Sequence, residues 1–353
     1  MKIALLAHDR FPIAAPFAGG LESFTWYLAK GLRERGIDVV VFAAPGSDPA
    51  LEAEELAVEP VSLSEQARND VSMPPEGQVR ETISYLQVMT ALAQRDDIDV
   101  VHNNSLHYLP IAMAQSLRQP FLTTLHTPNT PWMEPALRLS PGVTTAAVSS
   151  SIAHMWRDVT AARVIPNGVD LDHWSLGPGG DSLVWSGRIV PEKAPHLAAM
   201  IAREAGWKLR IAGPLSNQEY YESQLKPLLS EDITYAGHLE PDELHHLVSH
   251  SAACLVTPQW EEPYGLVAAE SMACGTPVLA IARGGLAEVV QAPGGRSVLP
   301  EATEEQTVTA AARALDGVVA MDRATVREHA RARCSLDATV DQYVDLYREL
   351  VAR

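Results

Sequence analysis

Cysteine is scarce in this sequence. Three residues, Cys254, Cys274 and Cys334, are an odd number, far apart and without paired spacing. That excludes a disulfide framework and a cysteine-held zinc site, and it fits a reducing compartment. Basic residues are also in deficit: 27 Lys and Arg stand against 44 Asp and Glu, for a net charge of −17. A surface this acidic does not cling to nucleic acid or to anionic lipid, although one small basic pocket for an anionic ligand remains compatible with it. No run approaches the ~18 consecutive apolar residues of a spanning helix. The apolar N-terminal run, ended by His8 and Asp9, is too short for a signal peptide. There is no Walker A loop, no G-x-S-x-G elbow and no G-x-G-x-x-G fingerprint. These absences describe a soluble, cytoplasmic protein.

What is present is apolar material in alternating blocks. Hydrophobic residues make up 46% of the 353-residue chain and charged residues 20%, enough for two cores. Short β-branched runs alternate with helical periodicity, the pattern of a wound parallel sheet. Ile3–Ala7, a loop closed by Gly19-Gly20, a helix with Leu21, Phe24, Leu28 and Leu32 on one face, and Val39–Phe42 form one βαβ unit. Val100–Val101, Phe121–Leu125, Thr145–Val148 and Arg163–Ile165 continue the series. After the linker-like Trp174–Asp181, a second series runs through Ser182–Trp185, Lys208–Ala212, Ile233–Ala236, Ala253–Val256 and Val278–Ile281. The fold class is therefore α/β: two Rossmann-like, doubly wound domains, residues 1–167 and 168–337. An amphipathic C-terminal helix, Thr339–Val351 within residues 338–353, returns to the first domain. Ligands of such sheets bind at the carboxyl ends of the strands, here in the cleft between the domains.

Several polar residues stand just after those strands. Gly19-Gly20 opens a helix whose N–H groups can approach an anion, or is a plain helix-start turn. Arg188 and Lys193, five apart after a strand, can converge on one phosphate, or are two solvated cations. Glu270 shares a helix face with small apolar residues, where a carboxylate is costly unless something hydrogen-bonds to it. Glu262 precedes that helix, whose first N–H groups point toward ligand oxygens. His126 and His102 are each placed at a strand's carboxyl end, as catalysts or as structural hydrogen bonders. Asp242, His246 and His250 recur at i, i+4, i+8, but on a polar face, and read as solvated. Asp97-Ile-Asp99 and Asp170-Leu-Asp172 read as structural, which leaves no metal-ligand set.

Taken together these runs resemble the retaining nucleotide-sugar glycosyltransferases of family four, of GT-B architecture. The resemblance rests on Ile165-Pro-Asn-Gly-Val-Asp170, Gly187-Arg188 with Lys193, Tyr235-Ala-Gly-His-Leu239, Glu262 with Glu270 before Met-Ala-Cys-Gly-Thr-Pro-Val278, and Gly284-Gly-Leu-Ala-Glu288. It implies a hexosyltransferase in which Glu270 holds the nucleotide ribose and Glu262 the donor sugar. Arg188 and Lys193 neutralise the diphosphate, helped by N–H groups near Gly19, Gly20, Gly265, Leu266 and Val267. Tyr264 belongs to the same loop and stands where Phe is common. Gly237 and Leu239 lie near the nucleoside, and His126 beside the anomeric centre. It implies no cofactor and no metal: the nucleotide-sugar, a UDP-sugar first and a GDP-sugar second, is a substrate. Residues Glu52 to Gln94, which normally shape the acceptor side, match nothing in the family. With the net charge of −17, the expected acceptor is a small soluble molecule, natural product or glycan, with no nucleic acid and no stable membrane binding. A nucleotide-sugar epimerase, an α-glucan synthase and a non-catalytic nucleotide-sugar binder are the alternatives, and the oligomeric state is open.

Overall fold

The computed structural model describes residues 1–55 and 63–353; part of the unplaced Glu52–Gln94 stretch, residues 56–62, lies outside the described residues. The first sheet contains β1 (Lys2–Leu6), β2 (Asp38–Ala43), β3 (Glu54–Glu55), β4 (Val100–Asn103), β5 (Phe121–Leu125), β6 (Thr144–Ala147) and β7 (Arg163–Val164), in the order β3-β2-β1-β4-β5-β6-β7. The second contains β8 (Ser182–Ser186), β9 (Lys208–Ala212), β10 (Ile233–Tyr235), β11 (Ala253–Val256), β12 (Val278–Ile281) and β13 (Gly295–Val298), in the order β10-β9-β8-β11-β12-β13. Every pairing within both sheets is parallel. Both faces are covered: Ile3 and Leu5 of β1 enter one core while Ala4 and Leu6 enter the other. That double burial is why the strands read as continuous apolar runs.

Two strands escape the sequence pattern. The short β3 carries two glutamates, and β13, Gly-Arg-Ser-Val, is polar because it closes a sheet edge. A further correction concerns β4, which continues to Asn103 and so places His102 inside the sheet. His102 is fully buried, with Nδ1 at 2.7 Å from the Tyr347 hydroxyl and Nε2 at 2.8 Å from Thr124 Oγ1. Burial pushes its imidazole down to about 3, so it stays neutral and structural.

The junction is less linker-like than its composition suggests. The Arg323 guanidinium donates to Gly177 O, Ser249 O, Ser251 O, Cys274 O and Thr276 Oγ1, binding the segment to the second domain. Arg327 adds bonds to Leu171 O and Trp174 O. The chain crosses back at Val169, which pairs with Ser335, and the C-terminal helix Leu336–Val351 follows. It buries Val340, Tyr343, Val344, Tyr347 and Leu350 against the first domain, while Val351 stays exposed. Each buried aromatic there removes about 150–250 Å² from water, so this face alone anchors the helix.

The helix Gly20–Glu34 packs on this C-terminal helix through Gly31, where an added Cβ would lie 2.8 Å from Val340 Cγ2. In an exposed helix Gly→Ala gains about 1 kcal/mol, but overpacking a filled core costs about 1–3 kcal/mol. Gly31→Ala therefore lowers stability in denaturant unfolding, and adding Val340→Ala restores part of the loss. A stabilised single variant, or no coupling between the two changes, contradicts this packing.

Candidate active site

Parallel pairing sends the carboxyl ends of both sheets to the same cleft, which encloses a cavity of about 490 Å³. Loops after β1, β4, β5, β8, β9, β10 and β11 line it, so chemistry-bearing residues scattered over the chain meet there. Gly19, Gly20 and His126 line it from the first domain. Arg188, Lys193, Leu239, Glu262, Glu270 and the Tyr264–Val267 loop line it from the second. Gly237 does not reach the wall; its carbonyl accepts from Gly213 N at 2.8 Å behind the cavity. Tyr264 presents only its ring, because it is buried with its hydroxyl toward Cys334, and burial pushes that phenol well up.

The two cations are held differently. Lys193 Nζ lies 2.6 Å from Glu262 Oε2 and 5.2 Å above the Trp260 ring. Trp260 Nε1 donates to the same Glu262 oxygen at 2.9 Å, and Glu262 is 8% exposed. Lys193 and Glu262 thus form a compact pair, the carboxylate nearly buried and the lysine partly exposed, whose positions are fixed in advance of any ligand. Arg188 is looser, half-buried and 3.6 Å from Glu192. The guanidinium is free to move toward an anion in the cavity.

The helix Leu266–Ala273 begins at Gly265, whose φ of +94° favours glycine, and whose Cβ would meet Leu286 Cδ2 at 2.4 Å. Its first N–H groups, on Leu266 and Val267, have no intrahelical acceptor and face the cavity at the helix's positive end. One turn on stands Glu270, whose carboxylate makes no hydrogen bond among the described residues. Burial pushes its carboxyl up to about 7. Facing it from the first domain is Tyr27, whose phenol is pushed up by burial and by the Asp170 and Glu270 carboxylates. A half-buried carboxylate left without donors is what a ligand bearing two adjacent hydroxyls would satisfy.

On the first-domain side His126 is buried, with Nε2 2.8 Å from Asn104 Oδ1 and its ring edge against Phe24 at 5.0 Å. Burial pushes its imidazole down to about 3 and keeps it neutral. The sequence reading passed over a second pair, His8 and Glu22. His8 Nδ1 accepts from the backbone N–H groups of Arg10 and Phe11 at 3.2 and 3.4 Å, so Nε2–H donates to Glu22 Oε1 at 2.7 Å. A signal existed, because His8 directly ends the Ile3–Ala7 run just as His126 ends Phe121–Leu125. Thr127 Oγ1 and Asn167 Oδ1 also line the cavity, buried and without a hydrogen-bond partner.

The remaining sequence candidates stay outside. His246 and His250 stack on each other at 3.9 Å on an exposed face. Asp97 binds Lys2 and Arg95, and Asp170 caps the backbone of Asp172 and His173. Among the described residues, no three His, Cys, Asp or Glu side chains cluster as a metal would require.

The domains also touch directly across the cleft. Glu288 of the second domain accepts from Ser150 N at 2.9 Å and Ser151 N at 2.6 Å, and Ser149 Oγ donates to Pro263 O at 2.6 Å. Gly20 abuts Leu266, where an added Cβ would lie 3.0 Å from Leu266 Cδ1.

Glu270 makes stability depend on pH. Its folded-state value, raised from 4.5 to about 7, means the unfolded chain releases the proton first. Stability falls as pH rises from about 4.5 to 7, and the full cost is present above 7. Glu270→Gln removes that cost, so its melting temperature relative to the parent rises between pH 5 and pH 8. A difference that is flat or falling over this range contradicts the burial of the carboxyl.

The comparisons with known proteins agree with this geometry. Residues 18–173 match the model described as Glycosyltransferase Family 4, and residues 175–333 the model described as Glycosyl transferases group 1. The chain is 27% identical over 335 residues to a glycogen synthase of Mycobacterium tuberculosis, covering 82% of this chain and 80% of that protein. It is 28% identical over 411 aligned positions to a D-inositol 3-phosphate glycosyltransferase of Geodermatophilus obscurus, covering 98% and 89%. Among solved structures, HepE of Anabaena in complex with UDP and glucose superposes with a TM-score of 0.75 at 18% identity, covering 99% of this chain and 100% of that one. Both Rossmann-like halves are thus accounted for as a GT-B fold, and the chain is a glycosyltransferase belonging to glycosyltransferase family 4.

Proposed function

We propose that this enzyme moves a sugar, with retention, from a nucleotide-diphosphate donor to a small soluble acceptor, with a UDP-sugar as first donor and a GDP-sugar as second. The observation that carries the reading is the convergence in one cavity of Arg188, Lys193, the open N–H groups of Leu266 and Val267, and the unpartnered Glu270. Breaking a sugar–phosphate bond builds negative charge on the diphosphate, and fixed cations with a helix N-terminus stabilise that charge. In this reading they do so without a metal. Glu270 accepts from the ribose hydroxyls. On binding, the diphosphate draws Lys193 from Glu262, which then accepts from hydroxyls of the donor sugar.

The acceptor hydroxyl attacks the anomeric carbon on the face the diphosphate leaves. The C–O bond to phosphate breaks as the new C–O bond forms, and the departing phosphate oxygen takes the acceptor proton. Neutral His126 stands on the first-domain wall as a hydrogen-bonding group beside the sugar. UDP as the nucleotide of the donor is supported by the HepE complex, which holds UDP and glucose. The net charge of −17 supports a soluble acceptor rather than a lipid surface, and the three unpaired cysteines support a reducing, cytoplasmic site of action.

Lys193→Ala and Arg188→Ala each lower turnover by about 10²-fold or more. Arg188→Ala unfolds at the parent's temperature, whereas Lys193→Ala, which strips Glu262 of its partner, unfolds lower; full activity in both contradicts the phosphate role. In a thermal-shift series of UDP, GDP and ADP, a nucleotide at 100 times its Kd adds about 2.7 kcal/mol. UDP gives the largest shift, equal in EDTA and in Mg²⁺. A shift that requires Mg²⁺ contradicts metal-free binding, and no shift from any nucleotide contradicts the donor reading.

A further inference from the structure

We infer that the first-domain end of the cleft, walled by Arg10, Glu81, Tyr85 and His107, accepts an uncharged polyhydroxylated ring and rejects its phosphorylated counterpart. The inference rests on the transferase reading above and assigns its acceptor class. Three observations carry it.

The first is a fixed aromatic stack. Tyr85 and His107 stack at 4.6 Å with 22° between their planes, and His107 stacks on Tyr108 at 4.6 Å and 25°. Tyr85 is fully buried and tied to Ala7 O through its hydroxyl at 3.3 Å. His107 Nδ1 accepts from Leu109 N at 3.1 Å, and burial with the nearby Arg10 pushes its imidazole down to about 4. The ring is therefore neutral and carries its proton on Nε2, where it donates a hydrogen bond without supplying a charge.

The second is charge. Among the described residues lining this end, Arg10 is the sole Lys or Arg, and it already faces Glu81 at 3.7 Å. Glu22 and Glu81 both line the wall. Burial first and the neighbouring Asp9 second push the Glu81 carboxyl up, against the opposing pull of Arg10. A phosphate, with about −1.5 to −2 charges, would add to the negative charge of Asp9, Glu22 and Glu81, where the cations in range are Arg10, already turned to Glu81, and Arg80, which faces Asp9. A hydroxyl, by contrast, donates to Glu81 and leaves the charge balance unchanged.

The third is unused hydrogen-bonding capacity. Thr127 and Asn167 line the same cavity, with Thr127 Oγ1 and Asn167 Oδ1 buried in its wall and without partners. Both suit a ligand dense in hydroxyls.

Matched acceptors test this with the full chain and UDP-glucose, then GDP-glucose: glucose against glucose 6-phosphate, myo-inositol against its 3-phosphate, and N-acetylglucosamine against its 6-phosphate, followed by nucleotide release. At least one neutral ring is expected to speed release, with kcat/KM at least tenfold above that of its phosphate, and Glu81→Lys is expected to narrow that ratio tenfold or more. Glu81→Gln, the milder change, raises the acceptor KM more than it lowers kcat, and it decides the matter if the lysine variant does not fold. A preference for the phosphorylated member, no acceleration by any neutral ring, or a ratio indifferent to Glu81 overturns the inference. Nucleotide binding by thermal shift separates this from the underlying reading. Binding with the wrong acceptor preference defeats only the inference, whereas no nucleotide binding defeats the transferase reading and the inference with it.

Discussion

Parallel pairing is the constraint on which the rest of this molecule depends. A strand that must lie beside its predecessor in the same direction has to return by a crossover, so all carboxyl ends of a sheet open on one side. With two such sheets facing each other, residues as distant as His8, His126, Lys193 and Glu270 reach one cavity. Nothing in their sequence separation brings them together; the direction of the strands does. The C-terminal helix and the Arg323 and Arg327 bonds then fix how the second sheet is attached to the first.

Within the cavity the electrostatics are prepared rather than neutral. A chain of net charge −17 keeps cations at one wall, with Lys193 held against Glu262 and Trp260. Removing either member of this partly buried pair leaves the other uncompensated, so the two side chains hold each other in place. Glu270 is the opposite case, a carboxyl whose burial is uncompensated in the protein alone. One acid thus has its partner built in, and the other is left for a ligand to complete.

Much of the fold was legible because doubly buried strands leave an unmistakable apolar run and the Gly and Pro punctuation separates them. The strands that escaped were β3, two glutamates long, and β13, whose polar edge lacks that signal. His102 was misplaced because a strand's end is marked by its last apolar residue, whereas β4 continues through His102 and Asn103 with its polar groups satisfied by Thr123, Thr124 and Tyr347. Among the cleft residues, those in family-like runs could be named in advance. Gly237 could not be told from Leu239, since neighbouring residues in a loop differ in direction rather than in type. His8 with Glu22, and Tyr85 with His107, are contacts across 14 and 22 positions, and no local period announces them.

The Glu288 contact has a mechanical meaning. Its carboxylate takes the first N–H groups of a first-domain helix, while the preceding residues of the same loop support two neighbouring acids: Gly285 N donates to Glu262 O at 2.7 Å and Gly284 N to Glu261 Oε2 at 2.7 Å. One five-residue loop therefore fastens the two halves together and at the same time braces the backbone beneath Glu262. Parting the domains breaks the first set of bonds and loads the second. In this molecule the aperture of the cleft and the position of the carboxylate facing its interior are a single mechanical coordinate.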